Sequence, residues 1–110
     1  RSSSDSLIGV WRADRMERKD GSPGKLGEQA EFRLSADGTL LLKIDEGNGE
    51  VQRFPGWWDS PCKGKIRYEL GNSHVTNTWD YSFDDRGLVF EDKTLQEKFF
   101  LQRIPDFSLE

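Results

Sequence analysis

The chain has one cysteine, Cys62, and one histidine, His74, among 110 residues. Each scarcity removes a class of protein. A lone thiol cannot close an intrachain disulfide, so no cross-linked framework supports the fold and the redox compartment stays open. Cys62 follows Pro61, with Lys63 and Lys65 close by. Cations can lower a thiol's pKa, but no base stands near to make this one a nucleophile. A zinc or haem site needs several inward ligands, and His74 falls on the polar side of its strand, so neither a metal nor a cofactor is expected. Apolar runs are short. None approaches the roughly 20 residues of a membrane helix, and no membrane span is expected. Basic residues are outnumbered 16 to 20, for a net charge of −4. Arg12, Arg15, Arg18 and Lys19 cluster, yet Asp14, Glu17 and Asp20 interleave with them. That pattern fits a solvated loop, and no nucleic-acid partner is expected. Catalytic patterns are missing too: no Gly-rich phosphate loop and no Ser-His-Asp arrangement. The carboxylate pairs Asp84-Asp85 and Glu91-Asp92 fall at turns and strand ends, where aspartates bond their own backbone. A glycosidase needs its two carboxylates across a cleft, and no enzyme is expected.

What the chain does have is alternation. Hydrophobic residues make up only 34%, and charged residues 33%, but period-two spacing lets one face of each strand build a core. Thirteen aromatic residues add about 150–250 Å² of burial apiece. Leu7-Ile8-Gly9-Val10-Trp11 opens the first strand, and a polar segment from Asp14 to Glu28 follows. Ala30, Phe32 and Leu34 alternate with Glu31 and Arg33. Asp37-Gly38 marks a hairpin, and Leu40, Leu42 and Ile44 continue beyond it. Val51 to Trp58 is interrupted by Pro55-Gly56, which predicts an edge, a bulge or a bend. Ile66, Tyr68 and Leu70 share one face, as do Val75, Asn77, Trp79, Tyr81 and Phe83. Leu88-Val89-Phe90 and Lys98 to Ile104 complete the set. About eight strands joined by tight turns predict an all-β, antiparallel up-and-down barrel, whose closure removes exposed edges. Helix is expected only as a short turn, near Asp5 or within Lys93 to Glu97. The barrel domain is expected over residues 6–105, between a linker-like 1–5 and a tail at 106–110. The start reads as trimmed, mature, or cut from something longer. Leu109-Glu110 reads as native sequence or as a cloning remnant.

Several of these segments, in order, carry a likeness to a known family. They are Leu7-Ile8-Gly9-Val10-Trp11-Arg12, Glu31 through Leu40, Gly56-Trp57, and Phe100-Leu101-Gln102-Arg103-Ile104. Together they resemble the calycin superfamily, in particular the small bacterial lipocalin-like domains. The resemblance implies a β-barrel whose closed end is plugged by Trp11, with Arg103 of the last strand laid across the indole. A guanidinium stacked on Trp gains roughly 0.5–2 kcal/mol. It also implies a habit of binding small apolar molecules. The compartment is otherwise open, and the expected location is the periplasm, the cell envelope or the exterior of a bacterium. Full lipocalins carry a helix against the barrel, for which there is no candidate here. Thr78-Trp79-Asp80-Tyr81 is too divided by its tryptophan to stand for their loop motif.

The expected function is therefore binding of a small hydrophobic or aromatic ligand inside the barrel. The candidate ligand-binding residues are Phe32, Leu42, Tyr68, Asn77, Trp79, Tyr81 and Phe83, with Trp11 as closure and a further candidate for the lining. Asn77 and Tyr81 would set polar groups among rings, as a pocket requires; alternatively Asn77 bonds backbone or water near the barrel end. Trp57 and Trp58 are candidates for a surface patch, though neighbours on a strand face opposite sides and only one can be core. That patch would serve the rival reading, a barrel filled by its own rings that docks a protein partner. The Asp14 to Glu28 segment is equally readable as a mobile lid or as an extended hairpin. Glu69 and Asp80 fall on polar faces, away from any interior chemistry.

Overall fold

The computed structural model describes residues 6–24, 29–47, 49–71 and 73–109. Eight strands run β1 Gly9–Glu17, β2 Gln29–Leu34, β3 Thr39–Asp45, β4 Val51–Asp59, β5 Lys65–Leu70, β6 Asn77–Asp84, β7 Gly87–Asp92 and β8 Glu97–Ile104. Each pairs antiparallel with its neighbours in sequence, and β8 returns to β1, closing the barrel. The expected architecture is the observed one. Among the described residues, helix is confined to a single 3₁₀ turn through Ser6 and Leu7.

The turns follow their chemistry. In the β2–β3 hairpin Gly38 sits at φ +89°, and the Asp37 carboxylate accepts from the Thr39 amide at 3.0 Å and hydroxyl at 2.8 Å. In the β6–β7 hairpin the Asp84 carboxylate accepts from the amides of Arg86 and Gly87, as expected of turn aspartates.

Two segments, β1 and the one at His74, differ from expectation, and β4 takes one of the forms expected of it. β1 does not yield to a loop at Asp14. It continues to Glu17 by pairing with β8, with a bulge between Ala13 and Arg15 after which the ladder resumes, shifted by one residue, at Arg15↔Phe100. Arg12 and Arg15 therefore lie on a strand, where the Arg15 guanidinium packs over Phe100 and pairs with Glu17. The ladder to β8 stabilises this polar stretch, a long-range effect that local composition does not reveal. A Glu17↔Pro23 bridge carries the hairpin further, while Lys25 to Glu28, the rest of the expected lid, lie outside the described residues. β4 pairs with β3 from Val51 to Trp57, but with β5 only from Gly56 onward. Pro55-Gly56 is thus where the strand meets its second neighbour, and its first half is an edge. His74 precedes β6, exposed, at φ +56°.

The core gathers Leu7, Trp11, Leu34, Leu40, Trp58, Ile66, Leu88, Phe90 and Leu101. One charged residue is buried among the described ones, Glu31, at 1% exposure on the outward face of β2. The chain end covers it: Glu31 accepts from the amides of Ser108 and Leu109 and from the Ser108 hydroxyl. Lys43 packs on the Phe107 ring and donates to the Leu109 carbonyl. The tail lies along β2 and β3, with Leu109 buried. Arg1 to Asp5 and Glu110 lie outside the described residues.

Candidate functional site

One end of the barrel is sealed. The Trp11 indole N–H donates to the Leu7 carbonyl at 2.9 Å, and the Arg103 guanidinium carbon stands 4.3 Å from the ring centroid. Arg103 also donates to the Ile8 carbonyl at 2.7 Å and the Ser6 carbonyl at 2.8 Å. The last strand is thereby clasped to the segment that precedes the first. Gly9, at φ +142°, gives the guanidinium its space: a Cβ there would collide with Nη1.

Above this plug the inward faces enclose a cavity of about 170 Å³. Leu34, Leu40, Ile66 and Leu101 contribute to both the core and the cavity wall. Rings supply much of the rest: Phe32, Tyr68, Trp79, Phe90 and Phe99. Trp79 stacks on Phe99 at 5.3 Å and takes Tyr68 and Phe90 edge-on at 5.9 and 5.8 Å. Phe32 stacks on Phe90 at 5.7 Å. Leu42, Leu70, Ala13 and Ala30 complete the lining. Of these thirteen residues none is charged, and Tyr68 carries the one side-chain oxygen. Burial pushes the Tyr68 phenol above its usual range, and the nearby Asp92 carboxylate adds to this, so the hydroxyl stays protonated at neutral pH.

Of the residues expected at the site, Phe32, Leu42, Tyr68 and Trp79 come together around this cavity. Asn77, Tyr81 and Phe83 do not line it. They share the inward face of β6 with Trp79, but a face sets direction and not depth. A strand advances about 3.3 Å per residue, so the row spans more of the barrel than the cavity fills. Phe83 sits at the sealed end, 6.2 Å from Trp11 and 45% exposed. Tyr81 packs edge-on to Phe83 at 6.0 Å. Asn77 opens the strand opposite Tyr68. Trp11 lies below the cavity rather than in its wall.

The two neighbouring tryptophans divide as the pleat requires. Trp58 is buried at 6%, its indole N–H donating to the Ser35 carbonyl. Trp57 is outside at 38% exposure, with the Arg67 guanidinium 6.0 Å away. Arg67 in turn grips Asp59 through two hydrogen bonds of 2.9 and 2.6 Å. The pair forms no continuous patch. Asp80 faces outward and is held by Lys65 and, at 3.2 Å, Lys93. The Lys65 hydrogen bond above all keeps its carboxyl below the usual range.

Lining residues not among the expected ligand-binding candidates include Ala13, Ala30, Phe90 and Phe99. A signal was present: alanine at inward positions of two neighbouring strands removes volume where larger residues would fill the barrel.

No family model matches the sequence, and no curated protein matches it. Among solved structures, a lipocalin-like protein from Bacteroides uniformis superposes with a TM-score of 0.74, covering 90% of this chain and 99% of that one at 15% identity. The fold is lipocalin-like. A Bacteroides eggerthii protein superposes with a TM-score of 0.69, over 88% and 98% of the two chains, at 12% identity. At such identities it is the architecture that is shared. The lipocalin-like barrel here differs from the full-length pattern in having no helix packed on it among the described residues.

Proposed function

We propose that this lipocalin-like barrel binds one small hydrophobic or aromatic molecule and performs no chemistry on it. The observation that carries the reading is the cavity of about 170 Å³ walled by rings and aliphatic side chains. A void of about 150 Å³ lined by Leu, Ile and Phe takes up benzene in another protein, so this one has room for a single ring. It is well below the roughly 300–1,000 Å³ of drug-sized pockets, which argues against a large or branched ligand. The carboxylates nearest in sequence to the lining of β5 and β6, Glu69 and Asp80, face outward, and Asp80 is engaged by two lysines. That arrangement supports carriage over catalysis.

The test is calorimetric titration with toluene of the protein and of Ala30→Phe, which places a ring in the cavity. Uptake at one per chain that disappears in the variant is the expected result. No uptake by the unaltered protein at millimolar toluene would overturn the proposal and favour a barrel packed by its own rings, with Trp57 left as a surface anchor for a partner.

A further inference from the structure

The lining also bears on what sort of small molecule would enter, an inference that rests on the binding function proposed above. We infer that the ligand is an uncharged, ring-sized molecule with one hydrogen-bonding group, anchored by the Tyr68 hydroxyl, and that carboxylates of the same size are rejected.

Three observations converge. Five aromatic rings face the cavity, so a planar ring finds stacking and edge-on partners on several sides. The Tyr68 oxygen has no hydrogen-bond partner among the described residues, although burial and the Asp92 charge hold it protonated. A half-buried hydroxyl in an apolar wall gains from any ligand group that can accept from it or donate to it. Finally, no Lys, Arg or His lines the cavity, so a buried carboxylate would have no counter-ion. Towards the end opposite the plug, two carboxylates stand where they would repel an acid. Asp92 continues the inward series Leu88, Phe90, and Glu97 stands directly across from it on β8. The Asp92 carboxylate is turned to the backbone amides of Thr94 and Leu95, which keeps its charge fixed near the rim.

The experiment compares toluene, phenol and benzoate by calorimetry at pH 7, in the unaltered protein and in Tyr68→Phe. Phenol is expected to bind at least tenfold more tightly than benzoate. The phenol-to-toluene affinity ratio is expected to fall at least fivefold in Tyr68→Phe, a readout that a loss of packing alone would leave unmoved. Toluene binding with a ratio indifferent to the variant, or benzoate matching phenol, would overturn this inference while leaving the apolar-cavity function intact. Binding of none of the three would remove both.

Discussion

Replacing Arg103 by alanine tests whether the two ends of the barrel are clasped as the geometry indicates. The guanidinium stacks on Trp11 at 4.3 Å and donates to the Ile8 and Ser6 carbonyls. A cation over an indole is worth about 0.5–2 kcal/mol, and a hydrogen bond from a charged donor about 1.5–3 kcal/mol when sheltered. Arg103 is exposed, so water takes over part of these roles and the total falls below the sum of the lower ends. We expect Arg103→Ala to cost about 2 kcal/mol, near 8 °C in Tm for a domain of this size. Arg103→Lys keeps the charge but not the fork that reaches two carbonyls, and should lose about half as much. Urea denaturation followed by tryptophan fluorescence measures both, with Arg86→Ala at the exposed β6–β7 turn as a control inside about 0.5 kcal/mol. A loss at Arg103→Ala no larger than the control's would refute the clasp. A double-mutant cycle with Trp11→Phe should show coupling, because the two residues share one contact.

Gly56→Ala should destabilise by about 3 kcal/mol, the upper end for added volume in a packed site, because its Cβ would fall on the Glu69 carbonyl oxygen; an unchanged urea midpoint would contradict the close approach of β4 and β5. Glu31→Ala should free the chain end, speeding hydrogen exchange at the Ser108 and Leu109 amides at least tenfold, whereas Glu31→Gln keeps an acceptor for both and should slow that loss; equal exchange in all three proteins would show the tail is held by other contacts. Hydrogen bonds from Thr39 to Asp37, and from Lys65 above all to Asp80, hold these carboxyls below their usual range. Their contribution is therefore complete above the unfolded carboxylate pKa of about 4 and lost as pH falls through the lower folded values. Stability should stay level from pH 7 to about 5 as far as these groups are concerned and drop below about 4, less steeply in Asp37→Asn; a fall already complete at pH 5 would need a different group. The Tyr68 phenol, raised by burial, should titrate above about pH 10 in an ultraviolet absorbance titration and return to the normal range on denaturation.

How far the sequence could be read varies along the chain. The hairpins at Asp37-Gly38 and Asp84 to Gly87 were legible because the carboxylate-to-amide bond and the positive φ are local. The β1 extension through Arg15 to Glu17 was not, since its partners lie some 80 residues away on β8. The same holds for Glu31. Its alternation marks it as outward and polar, and only the return of Ser108 and Leu109 makes it buried.

By itself the sequence determined the number of strands, their antiparallel order and which side of each faces inward. These follow from period-two alternation and turn residues, both set by steric preferences of neighbouring residues. The plug of Trp11 and Arg103 was legible through the family resemblance, which names residue types as well as spacing. Tertiary structure decided depth. It left Phe83 at the sealed end, set Trp79 against Phe99, and opened the cavity beside Ala13 and Ala30. A void is the difference between the volume that eight strands enclose and the volume their side chains fill. That difference depends on the stagger between strands distant in sequence, which no local pattern records.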